Sequence, residues 1–302
     1  MTTDVSDRCL AVAGGVLADL VVGDPPTPWH PVAWFGTAMT RVEGRLYRDA
    51  VAPGVGYAAA GIGLARLAAF AVPMTAVATT VTSSGRTLVR SAHELDARLA
   101  ADDLMSARQL LPTLVGRDSE QLDADGIARA VVESVAENTV DAIVAPAWWA
   151  LVGGAPGALV HRAVNTMDAM VGHRNARYLH FGRAAARIDD AAAWIPARLT
   201  AALVAAVRPA AAARIADAVR RQAPAHPSPN AGVAEAAFAA ALGVQLGGTT
   251  VYAGRVDERP ILGNGRAVGR TDIRRSTRLC RDVTFALVSV LLASAAVARS
   301  KP

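Results

Sequence analysis

The sequence predicts an all-α, multi-span integral membrane protein, with about four to five membrane helices and additional amphipathic or interfacial helices. Apolar residues make up 52% of the 302 residues and are concentrated in long runs between polar segments. Gly and Pro lie inside these runs, for example at Pro73, Pro146 and Pro156, which is more frequent in membrane helices than in soluble ones. A soluble helical protein with unusually apolar core helices is the alternative, and the repetition of such runs favours the membrane.

The first run, Cys9–Gly23, is interrupted only by Asp19. It follows Asp4, Asp7 and Arg8, which do not form the basic start of a signal peptide. We therefore expect this segment to remain in the protein as its first membrane helix.

Three further runs approach the length that a helix needs to cross the hydrocarbon core, about 20 residues. They are Leu67–Gly85, which residues 50–65 extend upstream, Ala142–Val160 and Val283–Ala298. Leu199–Val207 is too short alone and predicts an interfacial or packed helix. The Ala-rich residues 231–247 carry an acid, so we expect a helix buried against protein.

The run Ala142–Val160 contains Pro146, the pair Gly153-Gly154 and Pro156. These residues permit a broken helix, so the run either crosses the bilayer or re-enters it. The re-entrant form is the simpler geometry if the polar blocks on its two sides build one site.

The polar segments have their own predicted structure. Residues 86–132 predict a helical hairpin, in which Asp102 or Asp103 caps the second helix and Pro112 limits it. Residues 208–230 and 255–270 predict loops, the first rich in Arg and Pro and the second in Gly and Arg. No repeat or linker divides the chain, so we expect one helical membrane domain over residues 1–302.

The charge pattern excludes several protein classes. Lys and Arg total 31 and the formal charge is +5, but Lys301 is the only lysine. A P-loop and a pyridoxal enzyme each need a lysine inside the chain. The arginines are spread over all polar segments and no base-reading module is present, so we expect no nucleic-acid partner. Two cysteines without paired spacing exclude a disulfide framework.

The strongest chemical pattern is an acidic stretch that enters the run Ala142–Val160. Glu133, Glu137 and Asp141 are spaced four residues apart, which places them on one helical face. Like charges at this spacing repel one another, so a bound cation or a basic partner explains them. Acids that decorate a helix N-terminus are the alternative.

A second polar block follows the same run. Asn165 and Asp168 share a helical face, as do Arg174 and Arg177, and guanidinium groups match phosphate or carboxylate. Ordinary surface salt bridges are the alternative reading. Further candidates in or after this block are Asn175, Tyr178, Asp189 and Arg198, and Asn138 is a candidate in the acidic stretch before the run.

Two Pro-rich turns complete the candidate set. Asp24 and His30 lie on one turn after the first run, and Asn230 and Glu235 follow His226 later in the chain. No His/Cys set has the spacing of a zinc site. Carboxylates, Asn and Arg together suit Mg²⁺ with a phosphorylated substrate.

Several of these motifs together resemble the CobD/CbiB family. They run in order over nearly the whole chain: Gly23-Asp24-Pro25, Glu133–Asp141, Asn165–Gly172, Tyr178–Gly182, Arg187–Asp190, Trp194–Thr200 and His226–Gly232. One departure is that Val233-Ala234 stands before Glu235 where the family usually has Trp-Pro. We expect this difference to alter packing and to put a ligand contact by that Trp in doubt.

The resemblance implies a membrane enzyme of cobalamin biosynthesis, adenosylcobinamide-phosphate synthase. Such proteins join adenosylcobyric acid to (R)-1-amino-2-propanol or its O-phosphate through an amide bond, with ATP as co-substrate and Mg²⁺. On this basis we expect Glu137, Asp141, Asp168 and Asp189 as metal ligands, and Glu133, His30 and Asp24 as catalytic groups. Expected substrate or phosphate binders are Asn138, Asn165, Arg174, Asn175, Arg177, Tyr178, Arg198, Asn230 and Glu235.

The resemblance also sets expectations for location and partners. We expect a multi-pass protein of the cytoplasmic membrane with its active side towards the cytoplasm, able to associate with itself or with other membrane enzymes of the pathway. The alternatives are a non-catalytic scaffold or signalling protein of the AmpE type, and a corrinoid transporter.

Overall fold

A computed structural model describes residues 5–116, 119–252 and 255–300. In these described residues the structure is 78% helical with almost no sheet, which confirms the predicted fold class. The helices are α1 (Val5–Val22), α2 (Pro31–Leu46), α3 (Val51–Ala71), α4 (Thr75–Thr82), α5 (Gly85–Ala100), α6 (Leu104–Leu110), α7 (Ala124–Thr139), α8 (Ala145–Val171), α9 (Arg183–Val207), α10 (Ala212–Arg221), α11 (Ala231–Leu242) and α12 (Thr271–Arg299). The strands β1 (Leu246–Tyr252) and β2 (Arg255–Leu262) form one antiparallel hairpin.

Four helices in the described residues are long and apolar enough to cross a membrane, as the sequence predicts. They are Val51–Ala71, the continuous helical segment Ala124–Val171, Arg183–Val207 and Thr271–Arg299. Together they indicate a multi-pass membrane protein.

Contacts between Cα atoms divide the chain into two compact units. The first comprises Met1–Ser84, Asp141–Ala193 and Val288–Pro302, and the second comprises Gly85–Val140 and Trp194–Leu287. The boundaries fall inside helices α9 and α12, so neither unit is one contiguous stretch of chain. The expectation of a single domain over residues 1–302 stays a prediction.

In the first unit, α8 is the central helix, against which α1, α2, α3 and α4 pack. Its Val164, Met167 and Val171 form a buried cluster with Tyr57 and Phe181. The apolar face of α8 is thereby occupied by protein, and its polar side chains lie on other faces of the helix.

The predicted span Leu67–Gly85 is wrong in its position. The helix ends at Ala71, and the membrane-length helix is Val51–Ala71, which contains Arg66. Pro73 explains the break, because proline lacks an N–H and disfavours a helical conformation in the residue before it. The remainder of the run forms the short helix α4.

The first run forms α1, which is 18 residues long and carries Asp7, Arg8 and Asp19; its role as the first membrane helix stays a prediction. Two other sequence expectations are corrected. Leu199–Val207 is the last part of the 25-residue helix α9, because the helix continues upstream through Pro196. The loop predicted at 208–230 contains α10, whose Ile215 is buried.

The first half of the second loop, predicted at 255–270, forms β2, which pairs with β1. Other expectations for the second unit are confirmed. Asp103 caps α6, since its Oδ1 accepts the Ser106 N–H at 3.1 Å. α11 is buried against protein. A left-handed Gly243 (φ 70°) ends it, as glycine commonly does.

Helix α8 is interrupted at Gly154, as its Gly/Pro content predicts. This residue has φ 62° and ψ −152°, a conformation that is essentially restricted to glycine. Pro156 follows directly inside the helix. The break is therefore encoded locally, while re-entry into the bilayer stays a prediction.

Replacing Gly154 by Ala should destabilise the protein by about 1–3 kcal/mol, because a Cβ makes this backbone conformation strained. The adjacent Gly153→Ala is the matched control, since a Cβ there meets nothing within 4 Å. Thermal unfolding of both variants in detergent measures the difference. Equal melting temperatures would contradict the account of the break.

Candidate functional site

Asp24 and His30 form a pair at the turn before α2, as the sequence predicts. His30 caps α2, and its Nδ1 accepts the Val32 N–H at 3.2 Å. An acceptor role for Nδ1 leaves the proton of the neutral imidazole on Nε2. That nitrogen lies 3.4 Å from Asp24 Oδ1, so His30 orients the carboxylate.

Ser84 connects this pair to Ala142, which lies just before α8, and to α8 itself. Its hydroxyl donates to Asp24 Oδ1 at 3.2 Å, and its N–H donates to the Ala142 carbonyl at 3.0 Å. Arg162 of α8 in turn donates from Nη2 to the Ser84 oxygen at 3.4 Å. Asp24, Ser84 and Arg162 therefore form one hydrogen-bonded chain in the first unit.

Arg162 is surrounded by negative charge. It interacts electrostatically with Asp24, Asp141 and Asp19. Its Nε is buried and has no hydrogen-bond acceptor among the described residues. A guanidinium in this position has donors left for an anionic ligand.

A second group of acidic side chains lies around Asn165 in the first unit. Asn165 donates to Asp141 Oδ2 at 3.1 Å and also hydrogen-bonds Asp189. Asp189 interacts electrostatically with Asp141 and Asp168. These four predicted residues are thus brought together, all within the first unit.

The donor chemistry of this group fits Mg²⁺. All its members offer oxygen atoms, which Mg²⁺ prefers, and Asp189 Oδ1 is buried without a hydrogen-bond donor. Among the residues that the structure describes, no set of three or more His, Cys, Asp or Glu side chains is already arranged as a metal site. The carboxylates would therefore have to move closer together around an ion.

Of the three acids predicted on one helical face, Glu133 and Glu137 lie four residues apart in α7, whereas Asp141 lies beyond its end. A π-helical turn, Val140–Val144, follows α7, and its wider turn breaks the spacing of 3.6 residues. Glu133 is buried and accepts the Gly247 N–H at 2.8 Å. Glu137 is exposed, whereas Asp141 contacts Asn165. The three acids therefore have three different environments.

Arg177 and Tyr178, both expected as substrate binders, contact Glu43 of α2. The guanidinium and the phenol each donate to Glu43 Oε1 at 2.9 Å. Arg177 also lies 4.4 Å from the centre of the Tyr47 ring. This Arg, Tyr and Glu cluster fastens the turn after α8 to α2.

The neighbouring Arg174 and Asn175 are exposed. Asn175 Oδ1 accepts the Tyr178 N–H at 2.9 Å, which shapes the turn. Arg174 interacts electrostatically with Asp190. Of these two, Arg174 is the exposed cation, and its role as a substrate binder stays a prediction.

The remaining predicted residues lie in the second unit. Asn138 donates to the Ser134 carbonyl at 2.9 Å. Arg198 donates to Asn230 Oδ1 at 3.3 Å and stacks 4.1 Å from the centre of the Trp194 ring. Glu235 is buried, with Oε1 3.8 Å from Nε2 of His226.

Sequence reasoning missed Arg162, Ser84 and Glu43. A usable signal existed for Arg162, because an ionisable residue inside a long apolar helix is a default functional candidate. Ser84 and Glu43 carry no such signal, since their roles come from contacts with residues 60 or more positions away.

Comparison with known proteins adds the family. The family model for CobD/Cbib protein matches residues 12–280. The chain belongs to the CobD/CbiB family. It is 45% identical to the "Cobalamin biosynthesis protein CobD" of Mycobacterium tuberculosis H37Rv over 94% of this chain and 96% of that protein. The proteins of the same name from Rhodobacter capsulatus and Chromobacterium violaceum are 43% and 42% identical, over 85% and 93% of this chain and 87% and 94% of theirs.

No solved structure matches the chain. The family assignment confirms the resemblance seen in the motifs and gives this CobD/CbiB protein a role in cobalamin biosynthesis. It leaves the roles of individual residues as predictions.

Tyr178→Phe should lower the free energy of unfolding by about 1 kcal/mol, because the bond to Glu43 is lost. Burial and then the Glu43 contact raise the pKa of Tyr178 above its usual value. The unfolded tyrosine ionises near pH 10, so its stabilisation is complete below that pH and is lost as the pH rises further. When unfolding is measured from pH 8 to 11, the free energy of unfolding should fall less with rising pH for Tyr178→Phe than for the unmodified protein. Parallel pH curves would refute this.

Proposed function

We propose that this CobD/CbiB protein is an ATP-dependent ligase that joins adenosylcobyric acid to (R)-1-amino-2-propanol or its O-phosphate. Family membership and the name of its relatives support a place in cobalamin biosynthesis. The observation that carries the chemical proposal is the chain of contacts from His30 through Asp24 and Ser84 to Arg162, with the acids Asp141, Asp168 and Asp189 in the same unit. It combines a proton acceptor, a cation and oxygen ligands.

The chemistry requires activation of a carboxylate, because an ionised carboxylate does not accept an amine at neutral pH. The substrate carboxylate would attack the γ-phosphorus of ATP and release ADP. The amine would then attack the acyl carbon, phosphate would leave, and the ammonium proton would pass to a base. Such transfers depend mainly on positioning and on neutralising phosphate charge.

Asp24 is the proposed base. His30 and Ser84 both contact its Oδ1, so Oδ2 is the oxygen left to take a proton. Since the Nδ1 of His30 already accepts the Val32 N–H, we assign His30 a positioning role. Glu133, the other expected catalytic group, is buried in the second unit, where it accepts the Gly247 N–H. This buried position favours Asp24 as the base.

Arg162 is the proposed phosphate clamp, with Arg174 as a second cation at the surface. Mg²⁺ held by Asp141, Asp168 and Asp189 would neutralise the phosphates of ATP, while Asn165 holds two of these carboxylates. Glu137, Arg198, Asn230 and Glu235 belong to the second unit. We propose a metal role for Glu137 and substrate-binding roles for the other three on the basis of the family resemblance. We propose that the active side faces the cytoplasm, where ATP is available.

Purified protein with ATP, Mg²⁺, cobyric acid and aminopropanol phosphate should form cobinamide phosphate and ADP, detected by mass spectrometry. Asp141→Asn and Glu137→Gln should reduce turnover, whereas Asp49→Asn, which removes an exposed acid paired with His180, should not. A scaffold or transporter would consume no ATP under these conditions. Full turnover of Asp141→Asn would contradict the assigned metal ligands, and full turnover of Glu137→Gln would contradict the separate metal role proposed for Glu137.

Metal binding has its own test. Mn²⁺, a spectroscopic substitute for Mg²⁺, should bind the protein without substrate and be detected by electron paramagnetic resonance. Asp189→Asn should weaken this binding roughly tenfold or more, because the buried Oδ1 has no other partner. Asp49→Asn is again the control, and identical titrations of both variants would reject the assigned ligands.

A further inference from the structure

A groove on the second unit is lined only by residues to which no role has been assigned. It is lined by His93 of α5 and, from α12, by Arg274, Thr277, Arg278 and Arg281. Its volume is about 310 Å³, at the lower end of the roughly 300–1,000 Å³ typical of small-ligand sites. The groove therefore suits a compact polar group and is too small for a corrin.

Two of its arginines have no charge partner. Buried Asp96 pairs with Arg270 and Arg274, so Arg274 is held at the edge of the groove. In the part of the chain that the structure describes, Arg278 and Arg281 form no ion pair. Positive charge therefore exceeds negative charge inside the groove.

The groove also contains neutral hydrogen-bonding groups. His93 Nε2 lies 3.0 Å from Thr277 Oγ1, which joins α5 to α12. Burial lowers the pKa of His93, and the positive charges of Arg281 and Arg274 lower it further. The positive charges of Arg281 and Arg274 therefore raise the electrostatic potential at the position of His93.

The position along α12 indicates where the ligand comes from. Arg281 lies two residues before the apolar stretch Val283–Ala298 of a membrane-length helix. Basic residues next to a membrane segment attract anionic headgroups. Guanidinium groups on successive turns bind phosphate oxygens through paired hydrogen bonds.

We propose that this groove binds a phosphate group, carried by an anionic lipid headgroup or by a soluble phosphate compound. Arg278 and Arg281 supply the unpaired charge, and Arg274 and Thr277 complete the lining. The proposal does not depend on the ligase activity, because it uses none of the same residues.

The test uses the full chain in nanodiscs and the double variant Arg278→Gln/Arg281→Gln. Its control is Arg90→Gln/Arg98→Gln, which removes the same charge from exposed arginines of α5 outside the groove. The lipid arm compares melting temperatures in phosphatidylglycerol and phosphatidylcholine nanodiscs. The soluble arm titrates inorganic tripolyphosphate in phosphatidylcholine nanodiscs.

We expect the control to behave like the unmodified protein and the double variant to bind at least about tenfold more weakly. A loss confined to the phosphatidylglycerol arm identifies a headgroup site, and a loss confined to the tripolyphosphate arm identifies a soluble ligand. Both arginines are exposed and form no ion pair among the described residues, so the double variant should fold, which circular dichroism verifies. The variant Arg278→Lys/Arg281→Lys provides a charge-conserving comparison. Equal responses of the double variant and its control in both arms would overturn the proposal.

Discussion

The positive charge of Arg162 is the constraint on which the first unit depends. This side chain lies within a helical segment apolar enough to cross a membrane, where an unpaired charge costs several kcal/mol. The surrounding chain supplies compensating groups: Asp19 from α1, Asp24 from the following turn, Ser84 at the end of α4 and Asp141 from the π-turn. Pairing one arginine thus gathers segments that are far apart in sequence.

The same pairing leaves the neighbourhood richer in acids than in cations. Asp189 interacts with both Asp141 and Asp168, and repulsion between carboxylates is relieved by a cation or a proton. This imbalance is costly in a structural core but useful in a site for Mg²⁺ and phosphate. The Glu43 cluster lies in the same unit and has its charges balanced, so we regard it as structural support for the turn after α8.

The sequence predicts the helical, membrane-spanning fold because this follows from composition and apolar runs, but it does not identify α9 as a membrane-length helix, because its apolar part alone is short. It predicts the break at Gly154 because glycine and proline act locally. It misplaces the span at Leu67–Gly85, where Pro73 overrides an uncharged run, and it misses the β1–β2 hairpin, whose Gly- and Arg-rich strands lack an alternating apolar pattern. Neighbouring motifs of the sequence contain Asp141, Asn165, Asp168 and Asp189, and on this basis their grouping could be predicted. The pairing of Arg177 with Glu43 bridges 134 positions and has no local signature.

The central claim is that Asp24 and Arg162, joined through Ser84, work as one unit in an ATP-dependent ligation. The most direct measurement is a double-mutant cycle with Asp24→Asn, Arg162→Gln and their combination, using cobyric-acid-dependent ADP formation as the readout. Groups that act together lose most of their effect when either is removed. The double variant should therefore be about as slow as the slower single variant. Losses that multiply, as for independent sites, would contradict the account.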